Sequence, residues 1–186
     1  MIHSEILKIY EEKNIELIPQ IFVDMLIIAE DHRYNRHKGV DFIAIIRACY
    51  KFVFLRKVEG GSTIAMQLAR VITGKYERTA ERKVKEMLAA YKITKTVHKS
   101  EIPRLYLSVA YFGHAMNGIG SVISKKGINI KTVTEYQAAE IIARLKYPEP
   151  RKYNKSRDTQ IKNRALYILK RHKKYSMNLK LNVVSI

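Results

Sequence analysis

The sequence predicts a mainly α-helical domain, and three observations carry that prediction. Apolar residues recur at helical rather than strand spacing along most of the chain. Ser, Thr and Asp stand where those runs begin, and Gly or Pro where they stop. The 186 residues, 47% hydrophobic and 28% charged, suffice for one substantial core and are too few to suggest two full domains.

After Pro19, residues Ile21, Phe22, Met25, Ile28 and Ala29 mark one face of a helix that runs into Glu30-Asp31. Asp41 is placed to cap a second helix, with the stripe Phe42, Ile45, Ile46, Cys49 and Val53, ending before Gly60-Gly61. Ser62 is expected to cap a third, which carries Ala65, Leu68 and Ile72 and stops at Gly74. In the charged segment beyond it, Ala80, Val84, Leu88 and Tyr91 repeat at helical spacing.

Ser100 restarts helix, with Pro103 in the first turn, where its missing N–H costs little, and Gly113 closes the helix that holds Leu105, Tyr106 and Val109. Thr134 and Gln137 read as a capping box for a helix that buries Ala138, Ile141, Ile142 and Leu145 until Pro148. Ser156 or Asp158 starts a last basic helix through Arg171. Residues 1–175 are expected to form one domain, with 176–186 a tail whose role cannot be read.

Charge narrows the partners. Lys plus Arg number 35 against 17 Asp plus Glu, a formal +18 that would concentrate the chain on nucleic acid, anionic membrane or pyrophosphate ligands. Cys49 is the single cysteine, so no disulfide forms within the chain. The start, Met1-Ile2-His3-Ser4-Glu5, lacks a basic segment followed by an apolar one, and no window approaches the roughly 18 apolar residues of a spanning helix, so neither an export signal nor an anchor is expected.

Chemistry gathers in blocks. The first runs from Glu30-Asp31 through His32, Arg33, Arg36, His37 and Lys38 to Gly39 and Asp41. A carboxylate at the end of an apolar helix is partly desolvated, which raises its pKa and suits it to take a proton from a sugar hydroxyl; Glu30 is the candidate base. The alternative is a solvated helix end on which Glu30 and Asp31 pair with Arg33 or Arg36. In the second block, Gly60 to Arg70, two glycines allow close backbone approach, and N–H groups at a helix start can face a phosphate; a plain glycine turn is the alternative. The third sets Arg78, Arg82 and Glu86 four apart on one helical face, where cations hold Glu86 ionised, or form an ordinary ladder of ion pairs. His32 and His37 are five apart and do not stack as a zinc pair does.

These blocks, in this order and at this spacing, resemble the family 51 glycosyltransferases, the peptidoglycan polymerases found alone or fused to transpeptidase domains. The resemblance spans roughly residues 19–171 and includes a fourth block, Lys99 through Gly113, and a fifth around Pro148 and Tyr153-Asn154. It implies a lysozyme-like glycosyltransferase head with a small membrane-adjacent jaw lobe at about 42–60. It also implies Glu30 as general base, and Glu86 as support for the departing pyrophosphate, directly or through a divalent metal (Mg or Mn). To the cleft for diphosphate and sugar it assigns Asp31, Arg47, Gln67, Arg70, Arg78, Arg82, Lys83 and Lys85, lined by Gly60, Gly61, Ser62 and Thr63.

The chain departs from the family pattern where Tyr34 replaces Phe, where Ala65, Met66, Arg70 and Val71 replace Thr, Gln, Lys and Asn, and where Pro103, Arg104 and Ser108 replace Leu, Glu and Asn. Arg70 keeps the charge but exchanges a point ammonium for a planar fork. The implied partners are lipid II, the nascent glycan strand, the membrane surface and other cell-wall synthesis proteins, with no nucleic acid; the implied location is the outer face of the bacterial cytoplasmic membrane. Membrane contact is expected along residues 47–57, where aromatics and bases interleave, although Phe52 and Phe54 would equally complete a core. Two rival functions stand beside the polymerase: a lysozyme-like lytic enzyme, and a non-catalytic binder of lipid-linked precursor.

Overall fold

The structure, a computed structural model, describes residues 2–77 and 79–184, with side chains as far as residue 177. The chain divides into two compact units, Met1–Ile15 with Glu30–Tyr106, and Glu16–Ala29 with Leu107–Ile186.

The first unit holds α1 (Ile2–Glu12), α3 (Phe42–Leu55), α4 (Ile64–Thr73) and α5 (Ala80–Thr96), while α2 (Gln20–Glu30) contributes its last residue. α1, which the sequence reading did not anticipate, packs on α4 and α5 through the buried Ile6. α4 turns Ile64, Ala65, Met66, Leu68 and Ala69 inward. Its cap is Thr63 rather than Ser62: Thr63 has the extended backbone of a cap, and its Oγ1 accepts the Met66 N–H at 3.2 Å, while the Ser62 hydroxyl is engaged by Lys83 Nζ at 2.6 Å. Gly74, at φ 63°, ends the helix as expected.

Asp41 caps α3, accepting the Ala44 N–H at 3.0 Å. The apolar stripe foreseen there is not core, because no residue of α3 is buried: Ile45 is half-buried, and Phe42, Ile46, Phe52, Val53 and Phe54 are exposed. α5 also turns round relative to its apolar periodicity. Val84, Leu88 and Tyr91 face outward, and the buried face is Glu86, Ala89, Ala90 and Ile93. Small alanines let α5 approach α4 closely, and the buried carboxylate is tolerated because cations from both helices reach it. The turn before α3 is seated on α5 by Gly39: at φ 87°, a Cβ would lie 2.8 Å from the Ala90 carbonyl oxygen.

The second unit holds the rest of α2, the end of α6 (Ile102–Val109), a hairpin of β1 (Tyr111–Gly113) and β2 (Met116–Asn117), α7 (Ile119–Lys126), α8 (Glu135–Lys146) and α9 (Lys155–Val184). Gly113 does not close α6, which stops at Val109; at φ 139° it lies in β1 against the backbone of Glu149, an approach that a Cβ would block. His114 N–H donates to the Glu149 carbonyl at 2.8 Å, and Glu149 N–H to that of Phe112 at 3.0 Å.

The Thr134–Gln137 capping box opens α8 as predicted. α8 buries Ala138, Ile141 and Ile142 and packs on α9 through Ile161, Ala165 and Ile168. α9 starts earlier than expected, with Asn154 Oδ1 accepting the Arg157 N–H at 2.9 Å, and it runs through Val184 instead of ending near Arg171. Among the described residues no helix is long and apolar enough to cross a membrane.

Candidate active site

Glu30 ends α2 half-buried, where the apolar helix hands the chain to the polar first block. Gln67, on α4, donates its amide N–H to Glu30 Oε2 at 3.3 Å, and the Gln67 amide oxygen accepts the Tyr106 hydroxyl at 2.6 Å. Burial, and then the negative charge of Glu30, push the Tyr106 phenol well above its ordinary pKa, so it stays a donor. Tyr106 was absent from the set of site residues read from the sequence, where it counted only as part of an apolar stripe.

Asp31, next in the chain, is buried and fully engaged. Its oxygens lie 2.9 and 3.1 Å from His37 Nε2, and one of them accepts the Ile64 N–H at 3.1 Å. It thereby ties the first block to the start of α4. With the Ile64 N–H spent on Asp31 and the Met66 N–H on Thr63, these two groups at the helix start are not open to a phosphate, contrary to the expectation for the second block. Thr63 is itself buried, its hydroxyl donating to the Gly39 carbonyl at 2.5 Å. Gly61 does make a close approach, but to α3: a Cβ there would sit 3.3 Å from Ala48 Cβ. A Cβ at Gly60 would meet nothing within 4 Å.

The cations gather around Glu86 instead. Its side chain is 3% exposed, with Arg70 Nε donating to Oε1 at 2.6 Å, a second Arg70 nitrogen to Oε2 at 3.3 Å, and Arg82 also donating to Oε1. Lys83 Nζ lies 3.9 Å from Oε2 and links outward to Ser62. The hydrogen bonds to Glu86 raise the pKa of Arg70, while burial, and secondarily Arg70 and Arg82, lower that of Lys83 against the pull of Glu86. Three positive groups thus meet one carboxylate, leaving a net positive cluster.

The remaining predicted residues lie apart from that cluster in their contacts. Arg47 donates to Glu59 at 2.7 Å, a carboxylate it shares with Lys51. Lys85 pairs with Glu81 on an exposed face of α5. Arg78 lies outside the described residues.

Glu86 does not fit a divalent ion in this arrangement. Hard cations want several oxygen ligands, and here a single carboxylate is saturated by guanidinium groups beside an ammonium. Among the described residues no group of three or more His, Cys, Asp or Glu converges.

The helical domain holds two carboxylates in unlike surroundings, one half-buried beside an amide and the other sunk in a cationic cage, an arrangement that can serve proton transfer at the first and anion binding at the second. The chain belongs to the transglycosylase family, whose model, described as Transglycosylase, matches residues 5–173. It is 40% identical over 107 residues to penicillin-binding protein 1A of Aquifex aeolicus, covering 57% of this chain and 15% of that protein. To penicillin-binding protein 1F of Bacillus subtilis it is 33% identical over 170 residues, 84% of this chain and 24% of the relative. A monofunctional glycosyltransferase of Staphylococcus aureus is 30% identical over 139 residues, 70% of this chain and 52% of that protein. The chain therefore spans about half or less of the length of these relatives. The family is one of cell-wall synthesis, which points to the cell envelope.

Proposed function

We propose that this chain is a peptidoglycan glycosyltransferase that polymerises lipid II by inverting transfer, with release of undecaprenyl pyrophosphate. One observation carries the proposal. Gln67 and Arg70 lie three residues apart on α4, about one turn, and the first touches Glu30 while the second grips Glu86. One helix thus supplies both the side chain that contacts the proton acceptor and a cation of the anion grip.

In the reaction, Glu30 takes the proton of the acceptor sugar's 4-hydroxyl as that oxygen attacks the donor's anomeric carbon. The bond between that carbon and the diphosphate oxygen breaks on the opposite face, and the electron pair leaves with the diphosphate. Arg70, Arg82 and Lys83 take up the charge of the leaving group, which needs cations more than a proton. Glu86 keeps the two guanidinium groups in place between turnovers. Tyr106 and Gln67 fix the face of Glu30 that stays open to the acceptor.

Contact with the outer face of the cytoplasmic membrane is assigned to α3, whose exposed Ile46, Phe52, Val53 and Phe54 stand among Arg47, Lys51, Arg56 and Lys57. The nascent glycan strand and other cell-wall synthesis proteins complete the proposed partners.

The test is incubation of the protein with labelled lipid-linked disaccharide-pentapeptide, wild type beside Glu30→Gln, with products resolved by size. Muramidase-sensitive polymer from the wild type alone is expected. Equal turnover by Glu30→Gln would overturn the mechanism, and substrate binding without polymer from either would leave a binder in place of an enzyme.

A further inference from the structure

We infer that the first unit carries a groove for one acyl chain of an anionic membrane lipid, on the opposite face of α5 from Glu86. Successive residues turn about 100° round a helix, so Leu88 points roughly opposite to Glu86. Val84, Leu88 and Tyr91, spaced four and three apart, form an unpartnered apolar strip in which Leu88 is 61% exposed. This strip is one wall of a cavity of about 620 Å³, completed by Met87 and by Phe42 and Ile43 from the first turn of α3. That volume lies within the ~300–1,000 Å³ usual for small-molecule sites.

The rim settles which apolar occupant fits. Arg33 is neutralised by Asp41 at 2.8 Å, but Arg36 and Lys38 are exposed and have no carboxylate partner among the described residues. An apolar trough ending in two uncompensated cations complements a hydrocarbon chain with an anionic head; a neutral apolar helix would leave both charges unanswered. The groove also adjoins the helix assigned above to the membrane, since Phe42 and Ile43, which line it, are exposed residues of the first turn of α3. The choice of a membrane lipid as occupant rests on that assignment, whereas the groove itself does not.

The chain contains no tryptophan, so Leu88→Trp introduces a single reporter at an exposed site. Phosphatidylglycerol vesicles with brominated acyl chains should quench its emission, and phosphatidylcholine vesicles of the same kind should do so about tenfold less well. Adding Val84→Glu, or Arg36→Glu with Lys38→Glu, should abolish the quenching while the helical circular dichroism is unchanged. Phe54→Trp on α3 serves as the control for surface contact. If the vesicles quench Phe54→Trp but not Leu88→Trp, or if quenching at Leu88→Trp survives both sets of charge changes, the groove is not a lipid site. If neither reporter is quenched, the membrane as its source is overturned as well. Glu30→Gln in the Leu88→Trp background separates this inference from the transferase reading: it should lose polymerisation and keep the quenching.

Discussion

The Tyr106 hydroxyl donates to the amide oxygen of Gln67 at 2.6 Å, and that bond decides which end of the amide meets Glu30. With its oxygen committed to Tyr106, Gln67 can only turn its N–H toward the Glu30 carboxylate, a contact of 3.3 Å. In the proposed mechanism Tyr106 is a positioning residue two side chains away from the proton.

Tyr106→Phe should lower turnover about tenfold, equivalent to about 1.4 kcal/mol, with a smaller change in KM. The cavity keeps its shape while Gln67 loses its orienting donor and is free to flip. Steady-state kinetics check this; an unchanged kcat would mean that the bond orients nothing the reaction uses.

Removing the carboxylate from the cationic cage should leave three positive groups facing one another. Glu86→Gln is expected to cost about 2–3 kcal/mol of stability, less than a fully buried pair would because Arg70 is 30% exposed. Inorganic pyrophosphate should then raise the melting temperature of the variant more than that of the wild type, since the freed cations bind the anion directly. Equal stabilisation of both proteins would mean that these cations do not form the anion grip.

Adjacent acids should part company on mutation. Asp31→Asn gives up charge-assisted hydrogen bonds to His37 and the Ile64 N–H, and is expected to destabilise the fold by about 2–3 kcal/mol. Glu30→Gln should melt within about 0.5 kcal/mol of the wild type while losing polymerisation. Denaturant titrations of the two variants side by side would show whether stability and chemistry divide between neighbouring residues.

Asp41 supplies a pH dependence with a definite sign. Burial pushes its carboxyl upward, but the Ala44 N–H and Arg33 outweigh that and hold it below the ordinary carboxylate value. A carboxyl whose folded pKa is depressed contributes stability at every pH above its unfolded pKa, and loses it as pH falls through the folded value. Asp41→Asn keeps a capping oxygen but loses the charge that faces Arg33, so it should cost about 1 kcal/mol near neutrality, and the gap to the wild type should close only below about pH 4. A gap that stayed constant into acid would assign the loss to something other than the charge.

How much of this was legible in the sequence depended on what each residue's signal was made of. Caps and stops follow from local chemistry, so Asp41, Gly74 and the Thr134–Gln137 box stand where expected. Faces did not follow, because periodicity weighs apolar side chains only. The true inner face of α5 combines two alanines with a buried glutamate, and its apolar strip points outward. Gly113 looked like a helix stop because its need for positive φ arises from Glu149, thirty-six residues away. In the site, Glu30, Gln67, Arg70 and Glu86 were named from their blocks, and the structure joins them in pairs. Tyr106 was missed because a tyrosine on an apolar stripe gives no sign of where its hydroxyl ends. Arg47 and Lys85 were named with the cleft, but their contacts are with Glu59 and Glu81, acids whose role appears only once the chain is folded.

The occupation of the start of α4 by Asp31 has a kinetic side. A phosphate cradled by backbone amides sits in a rigid socket, whereas here Asp31 and Thr63 fill that socket from within. Under the proposed function the diphosphate is left to long, jointed side chains, each of which has Glu86 to return to. Such a grip can be released one contact at a time, with every released cation immediately re-paired. In the proposed polymerase reaction, which discards a multiply charged product after each sugar unit, a site that closes on itself as it empties would shorten the wait before the next substrate.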